Sequence, residues 1–160
     1  MLTKLLTTVL FVFFALSALA LDYPKGPDAT LTPGSLCDRP DEYRYPERIA
    51  YCERDVTSQE KAEIFQKYRN HLGYTLNIRN RSDYKIDHFI PLCAGGSNQE
   101  DNLWPQHISV FTVTDPIESV GCEVLKAGKI KQQELIRMIK EAKHDISRAR
   151  DVFNKLQALK

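Results

Sequence analysis

The pattern of apolar and polar residues predicts helices on either side of one extended stretch. Apolar side chains recur at helical spacing over 58–71, in one or two helices over 106–127, and most regularly over 131–159. Between the first two helical stretches, residues 74–92 read as extended, and around Tyr84 the apolar and polar positions alternate. This order of elements predicts an α+β fold.

The first and last helices carry the clearest signals. Thr57 and Glu60 form a capping-box signature before the first helix, and Gly73 is a stop residue after it. Apolar residues spaced alternately by four and three predict one continuous last helix, roughly 43 Å long at ~1.5 Å per residue. This stripe consists of Leu135, Ile139, Ala142, Ile146, Ala149, Phe153 and Leu156. Because it is short and includes two alanines, we expect it to dock on its own domain in a monomer; pairing with a second copy is the alternative.

An apolar leader precedes these elements. Lys4 is followed by an apolar run over 5–16, and Ala18 and Ala20 occupy the small-residue positions of a signal-peptidase site. The run is short for a membrane span. We therefore expect 1–20 to be a signal peptide cut after Ala20, which predicts a secreted or periplasmic protein that no longer contacts the membrane after cleavage.

The four cysteines agree with a secreted or periplasmic location. An even number of cysteines in an oxidising compartment predicts two disulfides. The cysteines are Cys37, Cys52, Cys93 and Cys122, and they permit three pairings among which the sequence does not choose. They include no Cys-x-x-Cys pair, so a structural zinc cluster is not expected.

Net charge hides a strong segregation along the chain. The formal net charge is +1, yet residues 86–123 carry six acidic side chains and neither lysine nor arginine. Residues 64–85 have a net charge of +4 and residues 124–160 one of +6. An acidic centre between basic flanks suits a site that holds a divalent cation and receives a polyanion. Chance segregation of solvated faces is the alternative.

The acidic segment also contains the residues with the most specific chemistry. Asp87 offers hard oxygen ligands for a divalent cation, and the neighbouring His88 can accept a proton near neutral pH. On a strand these two neighbours point to opposite faces. Gly95 and Gly96 then permit a sharp turn, and Asn102 can bridge the loop through its amide.

This segment resembles the HNH endonuclease motif in its ββα-metal form. The resemblance rests on Asp87-His88, Pro91, Gly95-Gly96 and Asn102-Leu103, in order and with the expected gaps, and it covers about residues 50–125. It implies a core hairpin and helix surrounded by α-helices and stapled by disulfides. The expected units are an irregular cysteine-containing region at 21–56, an HNH-like core at 57–128 and an amphipathic helix at 129–160 packed on the core.

The resemblance further implies a metal-dependent phosphodiesterase. His88 would be the general base, and Asp87 would bind one divalent ion, Mg²⁺ in the first place with Mn²⁺ or Ca²⁺ as alternatives. Asn102 would fix the hairpin or join the metal ligands. The third HNH position departs from the family pattern, because nine residues after Asn102 stands Phe111, which cannot bind a metal.

Other side chains must then complete the metal site. We favour His107 as the third ligand, although by the family spacing it comes early in the chain. Asp115 and Glu118 come later, on the next helical stretch.

The expected partner is nucleic acid. Basic residues just before the motif are candidate phosphate contacts; they are Arg69, Arg79, Arg81 and Lys85. Because no recognition module such as a zinc finger is evident, the sequence predicts cleavage of DNA, and as a second candidate RNA, with little sequence specificity. The alternative is a non-catalytic nucleic-acid- or metal-binding protein that retains the HNH scaffold.

Overall fold

A computed structural model of the chain describes residues 23–76 and 82–160. The predicted signal peptide and two of the basic candidates, Arg79 and Arg81, lie outside these residues. The strands are β1 (Glu42–Arg44), β2 (Ile49–Tyr51), β3 (Tyr84–His88) and β4 (Leu103–His107). The helices are α1 (Ser58–Leu72), α2 (Ile108–Lys126), α3 (Gln132–His144) and α4 (Ala149–Gln157). The fold is thus α+β, with two small antiparallel hairpins among helices.

The region before α1 is more ordered than its proline and glycine content suggests. Strands β1 and β2 pair antiparallel, with Tyr43 opposite Ala50. A disulfide joins Cys37 to Cys52, and a second joins Cys93 to Cys122. Both predicted disulfides are therefore present, and the fold selects one of the three pairings. Disulfides of this kind are typical of proteins from oxidising compartments.

Helix α1 begins and ends where the sequence predicts. The Thr57 side chain accepts a hydrogen bond from the backbone of Glu60, whose carboxylate in turn accepts one from the backbone of Thr57. At the other end Gly73 has a φ of 70°, the left-handed conformation that glycine adopts without a steric penalty. The buried face of α1 consists of Ile64 and Tyr68.

The central hairpin brings the two halves of the motif together. Strands β3 and β4 pair antiparallel, with His88 opposite Leu103 at one end and Tyr84 opposite His107 at the other. The extended stretch is confirmed for 84–88. The second strand is longer than expected, and α2 follows it without a connecting residue.

The prediction of one continuous helix over 131–159 is wrong. Helix α3 ends at His144, and a short 3-10 turn, Ile146–Arg148, leads into α4. Asp145 makes the break because its backbone is extended and its carboxylate accepts a hydrogen bond from the Ser147 backbone. The bend lets the stripe follow the domain surface, so that Leu135, Ile139 and Leu156 are fully buried.

The described residues form two apolar cores. One is formed mainly by α2, α3 and α4. The other joins α1 to β3 and β4 around Tyr68, Phe89 and Trp104. The hairpin that carries Asp87 and His88 is therefore part of the second core. Within residues 23–76 and 82–160, no helix is long and apolar enough to cross a membrane.

Candidate functional site

Strand β3 directs Asp87 and His88 to different surroundings. The two residues are neighbours, and both are almost fully buried, with 7% and 3% of their surface exposed. Because successive strand side chains point to opposite faces, Asp87 meets residues of α2 and α3, and His88 meets Arg54 and Asn98.

Two carboxylates of α2 join Asp87. Asp115 and Glu118 are three residues apart on the helix and so lie on one face of it. One ligand oxygen from each of the three residues lies within 4.8 Å of the others. Three carboxylates offer the hard oxygen donors that Mg²⁺, Mn²⁺ and Ca²⁺ prefer. The structure thus assembles a candidate cation site from a strand and the helix that follows the hairpin.

Two lysines partly compensate this acidic group. Lys143 of α3 is 1% exposed, and its Nζ lies 2.6 Å from Glu118 Oε1 and 3.5 Å from Asp87 Oδ2. It also donates a hydrogen bond to the carbonyl of His88. Lys85, which is more exposed, lies 2.7 Å from Asp115 Oδ1 and 3.6 Å from Asp87 Oδ2. Two ammonium groups facing three carboxylates leave one negative charge uncompensated.

Burial and the two lysines have opposite effects on the pKa values of Asp87 and Glu118. Burial opposes ionisation of Asp87, yet the nearby Lys143 and Lys85 hold the pKa of its carboxyl below the ordinary value. Burial raises the pKa of Glu118 to about 7, despite the opposing effect of Lys143. Glu118 therefore binds a proton near neutral pH when no other cation is bound.

His88 is held as a neutral imidazole. Its Nε2 lies 3.0 Å from Asn98 Oδ1, and its Nδ1 lies 3.3 Å from a guanidinium nitrogen of Arg54. Because a guanidinium only donates hydrogen bonds, Nδ1 carries the lone pair and Nε2–H donates to Asn98. Burial, together with the positive charge of Arg54, lowers the pKa of His88 to about 4. The ring is thus a free base throughout the physiological range.

Asn98 and Arg54 are themselves anchored. The Asn98 amide donates to the backbone carbonyl of Glu53 at 2.6 Å. Arg54 donates to the carbonyl of Ile86 at 2.9 Å. These contacts tie the segment after β2 to the hairpin and orient the imidazole of His88 from both sides.

Asn102 fixes the loop of the hairpin. Its Oδ1 accepts from the Ile90 backbone N–H, and its Nδ2 donates to the carbonyls of Ile90 and Ser97. The residue is fully buried. Gly96 is required beside it, because a Cβ at this position would lie 1.8 Å from the Ile90 carbonyl oxygen. Of the two roles expected for Asn102, the contacts favour the structural one.

His107 is not brought to the acidic group. It pairs with Tyr84 at one end of the hairpin, whereas His88 lies at the other end, four residues after Tyr84 on β3. Its ring stacks on Tyr23 with 3.8 Å between centroids, and its Nδ1 accepts from the Ser109 backbone at the start of α2. The position reflects the extra length of β4, which places His107 before the helix rather than within it.

The basic residues predicted to contact phosphate do not lie together either. Lys85 belongs to the acidic group through its ion pairs. Arg69 is an exposed residue in the last turn of α1. Arg79 and Arg81 lie outside the described residues, so their predicted roles stay predictions.

Two cavities open beside the hairpin. The larger, of about 1180 Å³, lies on the Asn98 side and is lined by eight acidic and three basic residues. The smaller, of about 380 Å³, lies between α1 and β3. Arg54 lines both cavities. It therefore separates an acidic cleft from a second, differently charged cavity.

Five of the residues around Asp87 and His88 are not among the site residues predicted from the sequence. They are Lys143, Arg54 and Asn98, together with Asp115 and Glu118, for which the sequence indicates only a place on the following helix. The one available signal was the three-residue spacing of Asp115 and Glu118 on a predicted helix. Comparisons with known protein families, curated proteins and solved structures gave no match.

Proposed function

We propose that this protein is a secreted, metal-dependent endonuclease that hydrolyses phosphodiester bonds with little sequence specificity. The observation that carries the proposal is the meeting of Asp87 with Asp115 and Glu118, within 4.8 Å, where Asp87 directly precedes the neutral His88 on β3. A cation site beside a general base is the arrangement that hydrolysis of a phosphodiester requires.

The order of elements supports the same reading. Antiparallel strands β3 and β4 are followed directly by α2, as a ββα-metal core would require. The residues that resemble the HNH motif occupy the first strand, the loop and the start of the second strand of this hairpin. The helix contributes Asp115 and Glu118 in place of the third ligand that we expected from His107.

The donor set fits a hard divalent cation. Asp87, Asp115 and Glu118 would hold it, and the charge left uncompensated by Lys85 and Lys143 favours its binding. When bound, the ion would stabilise the departing 3′ oxygen and the negative charge on phosphorus. Mg²⁺ is the expected metal, with Mn²⁺ or Ca²⁺ as alternatives.

The protein's own residues would supply the base and orient it. Asn98 holds His88 in the form with its lone pair on Nδ1, directed at Arg54. A substrate phosphate would draw the Arg54 guanidinium toward itself, because arginine binds phosphate through paired hydrogen bonds. Nδ1 would then be free to take a proton from water.

One assay tests this function. The 21–160 protein is incubated with plasmid DNA and with RNA in Mg²⁺, in Mn²⁺ or in chelator, beside His88→Ala and the exposed-histidine control His71→Ala. We expect cutting by the wild type and by His71→Ala with metal, and none with chelator or by His88→Ala. Equal survival of the nucleic acid with all three proteins would overturn the proposal.

One observation favours the non-catalytic alternative. Lys143 gives the acidic group a buried cation from the chain itself. In a protein that only retained the scaffold, this ammonium would replace the metal. A wild type that binds DNA in a gel-shift experiment but leaves it intact with every metal would establish that alternative.

A further inference from the structure

The cavity between α1 and β3 combines an apolar floor with a cationic rim. Leu76 and Ile86 are buried on its floor, and Phe65 and Tyr84 meet edge to face with 5.9 Å between their ring centroids. Its volume of about 380 Å³ lies within the range of small-molecule sites. An apolar pocket of this size can accept a flat ring.

Charge distinguishes this cavity from the neighbouring cleft. Arg54, Lys61 and Lys85 line it, and none of its described lining residues is acidic. The cleft on the other side of Arg54 carries eight acidic side chains against three basic ones. An anion that approaches His88 is therefore repelled from the cleft and attracted to the cavity.

Arg54 connects the cavity to His88. Its guanidinium lines the cavity and lies 3.3 Å from His88 Nδ1. Ile86, on the cavity floor, is two residues before His88 on the same face of β3. A group bound in the cavity with its phosphate on Arg54 would thus place that phosphate beside His88.

We propose that this cavity is a nucleotide subsite, in which one base of the nucleic acid lies against Phe65 and Leu76 while its phosphate contacts Arg54 and Lys61. The inference rests on the proposed nuclease function and adds the substrate unit that positions the strand. It also assigns the path of the nucleic-acid strand, which would run over the α1 side of the hairpin and away from the acidic cleft. A bare phosphate would use only the cationic rim, so a base must add affinity if the apolar floor is part of the site.

Binding is measured without metal and without cleavage, so that its outcome is separate from that of the nuclease assay. The His88→Ala protein is titrated in chelator with adenosine monophosphate, adenosine and inorganic phosphate, and followed by amide chemical shifts in NMR. We expect the monophosphate to bind about tenfold more tightly than phosphate, because base stacking contributes ~1–3 kcal/mol. Equal affinities of the monophosphate and phosphate would overturn the proposal.

Matched variants place the bound nucleotide. Ala62 is exposed and lines the cavity, whereas Gln66 lies one turn further on α1 and is exposed outside it. Ala62→Phe fills the cavity and is expected to abolish monophosphate binding, while Gln66→Phe should leave it unchanged. Binding that survives Ala62→Phe would overturn the assignment.

A second matched pair tests the rim. Lys61 lines the cavity, and Lys67 of the same helix lines the acidic cleft. Lys61→Gln should weaken monophosphate binding several-fold, and Lys67→Gln should not. Equal losses in the two variants would indicate general electrostatic attraction and overturn the subsite. Monophosphate binding by a protein that never cuts nucleic acid would support the subsite and reject the nuclease function alone.

Discussion

The ammonium of Lys143 on α3 faces the carboxylate of Asp87 on β3, with 3.5 Å between Nζ and Oδ2 and 56 residues between them in the chain. Both side chains are buried. The pair connects the last helical layer to the hairpin that carries His88. It also places a fixed positive charge beside the proposed cation site, and the response of the site to metal follows from this relationship.

Lys143→Met leaves the buried Asp87 and the partly buried Glu118 without their main counter-ion. Removing one partner of a buried ion pair costs about 3–5 kcal/mol of unfolding free energy. We expect a loss of this size in urea unfolding with chelator, and partial recovery with Mn²⁺. Lys155→Met, at an exposed position of α4, is the control. If both variants unfold alike, Lys143 does not hold the acidic group together.

Metal affinity should rise with pH because of Glu118. Its pKa, raised to about 7 by burial, means that a proton competes with the metal below neutrality. We expect Mn²⁺ affinity to increase about tenfold from about pH 6 to about pH 8 in calorimetric titrations. Glu118→Gln should remove most of this dependence, and the exposed Glu123→Gln should preserve it. A pH-independent wild type would contradict the assignment.

Stability should fall in mild acid because of His88. Its pKa is lowered from 6.5 to about 4, so the unfolded chain takes up a proton before the folded protein does. The contribution of neutral His88 to the free energy of unfolding is complete above about pH 6.5 and is lost as the pH falls toward 4. At ~1.36 kcal/mol per pKa unit it amounts to about 3 kcal/mol.

Urea unfolding at a series of pH values checks this contribution. His88→Gln should flatten the profile between these limits, whereas His71→Gln, at an exposed position, should leave its slope unchanged. A wild-type profile that is already flat there would show that burial does not hold His88 neutral.

Metal ligation should depend on α2 and not on His107. Asp115 contributes an oxygen to the acidic group, whereas His107 stacks on Tyr23 at the far end of the hairpin. We expect Asp115→Asn to weaken Mn²⁺ binding by about tenfold or more and His107→Gln to leave it unchanged. Weaker Mn²⁺ binding by His107→Gln, with unchanged binding by Asp115→Asn, would instead make His107 the ligand, as the sequence predicts.

Asn102 should matter for stability rather than for metal binding. Its amide makes three buried hydrogen bonds to the loop. Asn102→Ala is expected to lower the unfolding free energy by about 3 kcal/mol, because buried backbone groups lose their partners. The folded fraction should bind Mn²⁺ as the wild type does, and Asn70→Ala on the exposed face of α1 serves as control. A selective loss of metal affinity would instead make Asn102 a ligand.

Several features could be predicted because they depend on neighbours in the sequence. The capping box at Thr57 and the glycine stop at Gly73 bound α1 through contacts within one turn. The alternation around Tyr84 predicts a strand for the same reason. The opposite directions of Asp87 and His88 follow from strand geometry alone. The number of disulfides follows from an even cysteine count in a chain with a predicted signal peptide.

The tertiary structure decided what depends on distant residues. The stripe after residue 131 has the same period in one helix or in two, and only docking against the core shows that Asp145 interrupts it. Four cysteines allow three pairings until the chain folds. The partners of Asp87 come from α2 and α3, because packing brings a carboxylate 31 residues away and an ammonium 56 residues away to the same strand. Local sequence thus determined the strand that places Asp87 and His88, whereas the charges that surround them were determined by long-range packing.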